Sequence, residues 1–221
     1  MSPMDRKRIL LPLLLLWFLA IVVIFFVAGN RNAAVFAFLY TIVYGGICYR
    51  YRDRIKSLLT GIPVPVAVKF IGLAFLVTAA EEIFCYLTGN RIAIPVLWAD
   101  VIFCCIAWLG WFGTWYFFLS KKYRYTDTEA LLLAGMAGLL YEGTGPVLAS
   151  PIAILPILVI APFLFLVYAA IFLLPMQLIS FTGMKESLWK YPVSIVLPYL
   201  VSIPIIIVLF IFFLILGVPL N

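Results

Sequence analysis

Apolar residues run through this chain in stretches of about 20, broken by short polar segments. There is neither the strict alternation of a half-buried strand nor the one-sided stripe of a soluble helix. An α-helix needs about 20 apolar residues to cross a hydrocarbon core of roughly 30 Å, so each stretch reads as a span. The pattern predicts spans at residues 9–28, 33–49, 63–87, 95–119, 129–145, 151–181 and 191–217. The fifth is short and the sixth long. Pro146, Pro151, Pro156 and Pro162 crowd their boundary, where lost backbone donors predict a break, a kink or a re-entrant turn. Pro192, Pro198 and Pro204 predict kinks in the last span. The expected fold class is all-α, a polytopic transmembrane helical bundle of about seven spans. Without an internal repeat, a linker or a soluble segment, residues 1–221 read as a single transmembrane domain.

Composition agrees: 67% of residues are hydrophobic and 11% charged, against roughly half and a quarter in a soluble domain. Lipid is the solvent that accommodates such a surface. A net charge of +6 would suit nucleic acid, but the basic residues sit in short clusters between spans, so no nucleic-acid partner is expected. The clusters set an orientation instead. With the N-terminus in the cytoplasm, Arg6, Lys7, Arg8, Arg50, Arg52, Arg54, Lys56, Lys69, Lys121, Lys122, Arg124, Lys185 and Lys190 all lie inside, and only Arg31 and Arg91 outside. The apolar stretch from Ile9 to Gly29 exceeds the roughly 7–15 residues of a signal-peptide core, so it reads as a retained span in a multi-pass protein of the cell membrane. No pattern specifies an oligomeric state.

The chain has no histidine, which removes the usual general base and the commonest transition-metal ligand. Cys48, Cys85, Cys104 and Cys105 lie in apolar runs without a CxxC pair and read as small buried hydrophobes. Gln177 reads as an interhelical hydrogen bond, Lys69 as a side chain snorkelling to the inner face, and Trp108, Trp111 and Trp115 as a packing stripe.

Four acids fall within apolar runs: Glu81, Glu82, Asp100 and Glu142. An acid at the centre of a membrane helix costs roughly 2.5–3.5 kcal/mol or more, so function is the default expectation for these residues. At 1.5 Å per residue, all four lie within roughly 5–10 Å of the outer ends of their helices. Ala74, Thr78 and Glu82 share one helix face, as do Ala134, Gly138 and Glu142, and such small-residue stripes suit close helix contacts. Asp100 shares its face with Cys104, Trp108 and Trp111. Adjacent residues point about 100° apart, so Glu81 and Glu82 are not expected to face one partner. Arg91 is a candidate counter-ion, but four acids against one arginine leave charge that bound protons or a cation must balance. Acids this close to the interface also suit plain helix anchoring through snorkelling or pairing with Arg91.

Ala80-Glu81-Glu82 resembles the first motif of the CAAX-type intramembrane glutamate proteases and their PrsW-type relatives, a paired glutamate on one span. In that superfamily a basic residue follows a turn later, where this chain has Cys85 or Tyr86. Gly135-Met136-Ala137-Gly138-Leu139-Leu140-Tyr141-Glu142 looks like the second, glycine-rich motif, with Tyr141 where one branch has histidine. The histidine of the third motif has no counterpart. The likeness covers about ten residues in two places. It implies a divergent or inactive relative, in which Glu82 activates water, Glu142 assists, and Glu81 and Asp100 complete the candidate catalytic set. A hydrolase can run on carboxylates alone if one serves as base and another as acid.

The alternatives are a transporter or channel handling cations or protons, and a structural membrane subunit. Oxygen ligands suit hard cations such as Ca²⁺, Mg²⁺ or Na⁺, but no acid lies deep in the inner half to complete a path. The expected partners are the lipid bilayer and, at the acids, a membrane-embedded peptide or a cation. No motif specifies a cofactor or a resident metal.

Overall fold

The computed structural model describes residues 3–90 and 93–219, with side chains from residue 12 onward. Arg91, the expected counter-ion, lies outside the described residues. The helices are α1 (Pro3–Val27), α2 (Arg31–Arg50), α3 (Arg52–Gly61), α4 (Val66–Leu87), α5 (Leu97–Lys122), α6 (Asp127–Ala149), α7 (Pro151–Leu178) and α8 (Lys190–Ile215). Six of them, α2 and α4 to α8, are long and apolar enough to cross a membrane, and α1 contributes the apolar stretch Pro12–Val27. The protein is an all-α, multi-pass membrane protein. Among the described residues the only β pairing is two isolated bridges, Tyr123–Lys185 and Arg124–Thr182.

Three features depart from the sequence pattern. The α6 helix runs through Pro146 to Ala149, and the chain breaks only at Ser150–Pro151, where Ser150 is extended. The fifth span is therefore 23 residues long. Pro146 still acts locally: it has no N–H to give the carbonyl of Glu142 one turn back. Secondly, α2 and α5 widen into π-helical segments at Ala37–Gly45 and Thr114–Leu119, which hydropathy does not register. Thirdly, Arg52–Gly61 is a helix of its own with no buried residue, carrying Arg52, Arg54 and Lys56 beside exposed Leu58. A short amphipathic helix of this kind lies on a membrane face. Lys69 reaches back to it, as its snorkelling stem predicts, and donates to the carbonyls of Leu59 (2.8 Å) and Ile62 (3.1 Å).

The helices pair as hairpins: α6 packs most extensively on α7, α4 on α5, and α8 fits against both α5 and α6. The α1 helix lies outside, against α2 and α7. Small residues set the close approaches. A Cβ on Gly110 would meet Ser202 and Ile205 of α8 at 2.9 Å, and one on Gly135 would meet the Phe165 carbonyl of α7 at 2.7 Å. Apolar residues that remain exposed, such as Leu76, Leu148, Val208 and Ile211, present a surface for lipid.

The two ends of the bundle differ. At one end Arg50, Lys69, Lys121, Lys185 and Lys190 close the helices, and Lys190 ties the connections together. Its Nζ lies 3.1 Å from Glu129 and 3.3 Å from Glu186 and donates to the Arg124 carbonyl at 3.0 Å. At the other end the 30–32 and 88–90 turns lock together, Asn32 donating to the Gly89 carbonyl and Asn90 to the Asn32 carbonyl. All four intramembrane acids lie toward this second end.

Candidate functional site

The site is built by α4, α5, α6 and α7, with α8 closing it through Ile206. The α4 helix buries Ala74, Val77, Thr78, Glu81 and Glu82, so the small-residue stripe predicted to end at Glu82 does face protein. Glu81 is buried as well: adjacent residues point about 100° apart, and α4 is flanked on two sides. Glu82 turns toward Asp100 and Cys104 of α5, while Glu81 borders the cavity shared with α6 and α7. Both keep only 9% of their surface exposed.

That cavity holds about 430 Å³ and is lined by Glu81, Glu82, Glu142, Cys85, Trp108 and Tyr168, among others. Acids from two different spans therefore face one space. The Glu81 carboxylate accepts from the Cys85 thiol at 3.4 Å, one turn along the same helix. Glu142, which is exposed, accepts a hydrogen bond from the Tyr168 hydroxyl. The local sequence explains this contact. A Cβ on Gly138 would overlap the Tyr168 ring at 1.9 Å from Cγ, so only glycine admits the ring one turn below Glu142. The Ala134–Gly138–Glu142 stripe is thus a seat for Tyr168.

Asp100 is the most enclosed acid, with 0% exposure. It lies in the first turn of α5, and its Oδ1 accepts the Ile94 N–H at 2.8 Å, which folds the 93–96 segment over the helix start. Among the described residues Oδ2 has no hydrogen-bond partner. A carboxylate oxygen of Asp100, one of Glu82 and the Cys104 sulfur lie within 4.8 Å of one another. All three acid-bearing spans meet here: Glu82 links the Asp100 cluster to the cavity that Glu142 borders.

Beneath the cavity, toward the basic end, the aromatic stripe is packing as expected. Trp108 stacks on Tyr141 at 4.9 Å, Trp111 and Trp115 each meet Phe172, and Trp111, Phe112, Trp115 and Phe172 are fully buried. One expectation is corrected: Gln177 bonds within its own helix, Nε2 donating to the Leu173 carbonyl at 3.0 Å, because the tightened last turn of α7 brings that carbonyl into reach. Two members of the site escaped the sequence reading. Tyr168 carries no signal beyond being a tyrosine in an apolar span. The spacing of four places Cys104 on the Asp100 face, but the sequence reads it as a small buried hydrophobe. All four cysteines are free thiols, as their spacing suggests.

No protein-family model, no curated protein and no solved structure matches the chain. The chemistry has to be read from the residues themselves.

Tyr168→Phe keeps the ring on Gly138 and removes the donor to Glu142. If Glu142 takes part in catalysis, turnover falls by up to about 10-fold, the value of one hydrogen bond, while the thermal midpoint moves little. Turnover and thermal unfolding in the same detergent check this.

Proposed function

We propose that the cavity is a hydrolytic site that cleaves a peptide bond at the outer end of the bundle, in the manner of the intramembrane glutamate proteases that the Glu81-Glu82 and glycine-rich segments resemble. One observation carries the reading: Glu81, Glu82 and Glu142, from two different helices, line a single cavity of about 430 Å³. No described cavity-lining residue is basic and the chain has no histidine, so the reading assigns acid and base to carboxyls.

In the proposed reaction the Glu82 carboxylate takes a proton from water as the water oxygen bonds to the substrate carbonyl carbon. The tetrahedral intermediate then collapses, the C–N bond breaks, and protonated Glu142 delivers its proton to the leaving nitrogen. Tyr168 fixes the direction of the Glu142 carboxyl. Glu82 afterwards returns its proton to Glu142 through water, restoring both groups. Glu81 keeps the cavity polar beside the peptide, with Cys85 as its donor.

Cation or proton transport is the weaker reading. The acids are gathered at one end, and the buried Trp111–Phe112–Trp115–Phe172 block packs toward the basic end.

Protein reconstituted in liposomes and supplied with a panel of quenched-fluorescent apolar peptides is expected to release fluorescence, and Glu142→Gln to lose most of that rate, by about 100-fold or more. Equal rates for Glu142→Gln and the unsubstituted protein would remove the carboxylate mechanism.

The same proposal places the protein in the cell membrane with its N-terminus in the cytoplasm and the cavity at the outer face. Its support is the segregation of lysine and arginine at the opposite end of the bundle. Ser57 and Ser150 are exposed at the basic and acidic ends respectively. In intact cells an impermeant maleimide should label Ser150→Cys and not Ser57→Cys; the reverse pattern would invert the topology.

A further inference from the structure

We propose that Glu82, Asp100 and Cys104 form a binding site for a divalent cation of the Zn²⁺ class, held by two carboxylates and one thiolate. The inference goes beyond the hydrolytic reading and stands whether or not the cavity cleaves anything.

The first argument is geometric. Three atoms no more than 4.8 Å apart share a centre roughly 2.8 Å from each, and zinc–oxygen and zinc–sulfur bonds are about 2.0–2.3 Å. Small χ rotations therefore close the gap without moving a helix. Asp100 and Cys104 are one turn apart on α5, which fixes their relative placement, and Glu82 approaches from α4, the helix packed most closely on α5.

The second argument comes from the orphaned oxygen. Asp100 is wholly buried and one of its oxygens is anchored on the Ile94 N–H, which holds the carboxyl in one orientation. The other, Oδ2, has no donor among the described residues, and a polar atom enclosed without a partner is costly in a dry interior. What surrounds it is a second carboxylate and a thiol, each a metal ligand when deprotonated. No described Lys or Arg lines the adjoining cavity, so no described side chain there offsets these charges.

Donor chemistry selects the cation. A thiolate is a poor ligand for Ca²⁺ or Mg²⁺, which take oxygen only, whereas mixed oxygen and sulfur sets suit Zn²⁺ and its spectroscopic substitute Cd²⁺. Three protein ligands leave a fourth position, which in zinc sites is filled by water or substrate. Glu82 has two oxygens, so one can hold the ion while the other borders the cavity.

Cd²⁺ alone is the probe, added to the purified full chain in detergent and followed by the ultraviolet thiolate-to-Cd²⁺ charge-transfer band. The expected result is one saturable band, at about one ion per chain, competed away by Zn²⁺ and not by Mg²⁺. Cys104→Ser should abolish the band, Asp100→Asn should weaken binding by about tenfold or more, and Cys85→Ser should leave both unchanged. Asn preserves the acceptor for Ile94 N–H, so Asp100→Asn keeps the local fold, and far-ultraviolet circular dichroism of each unliganded variant verifies it. An absent band in the folded unsubstituted protein, or a band that survives Cys104→Ser or needs Cys85, overturns the site and assigns the charge balance to protons. Peptide hydrolysis is not part of the readout, so failure here leaves the hydrolytic proposal standing, and the reverse holds as well.

Discussion

Glu82→Gln should lower peptide hydrolysis by about 100- to 10,000-fold, the contribution of a positioned general base, with helix content and thermal midpoint retained. The substitution is nearly isosteric and leaves a polar group at the same place. Glu82 is buried, lines the cavity and lies beside both Asp100 and Cys104, so it is the residue through which every part of the site communicates. An amide cannot take a proton from water. Stability should not suffer, because removing one negative charge from a cluster of carboxylates relieves repulsion. Initial rates with a single reporter peptide, measured beside circular dichroism, separate the two effects. Retained turnover in Glu82→Gln would leave the cavity as packing and the acids as helix anchors.

The second large effect is expected at Gly138→Ala. The added methyl would sit 1.9 Å from Cγ and 2.4 Å from Cβ of Tyr168, atoms near the root of the side chain that cannot swing away without moving α7. Overpacking of this kind costs about 1–3 kcal/mol, and here the strain falls on the most extensive helix contact of the bundle, α6 with α7. Displacing Tyr168 also removes the donor to Glu142, so stability and turnover should fall together. Gly72→Ala on α4 is the matched control. Nothing lies within 4 Å of its added methyl, and replacing a helical glycine with alanine gains up to about 1 kcal/mol. Thermal unfolding in detergent should therefore show a lower midpoint for Gly138→Ala and an equal or higher one for Gly72→Ala.

The spans were legible because lipid imposes one demand on every residue between its faces, and hydropathy reads that demand directly. The helix end at Ser150 was not, because a proline signal is ambiguous: Pro146 inside α6 and Pro151 at the start of α7 look alike in sequence but take different helix positions. The π segments at Ala37–Gly45 and Thr114–Leu119 reflect packing between helices, which leaves no periodicity to count. For the site, the expense of intramembrane acids identified Glu81, Glu82, Asp100 and Glu142 one at a time. Their convergence depends on helix rotation, and a sequence does not give rotation. Glu81 and Glu82 diverge as a 100° step requires, and both are buried because α5 and α7 both pack on α4. Tyr168 lay beyond reach for a related reason: Gly138 shows that something comes close, without saying what.

The most direct test of a carboxylate hydrolase in this cavity is cleavage of a reporter peptide in ¹⁸O-labelled water, with the products weighed by mass spectrometry. Water activated by Glu82 should appear as label in the new C-terminal carboxylate from the unsubstituted protein, and Glu82→Gln and Glu142→Gln should yield no labelled product over the same period. Cleavage that proceeds equally in both variants, or product without label, would contradict it.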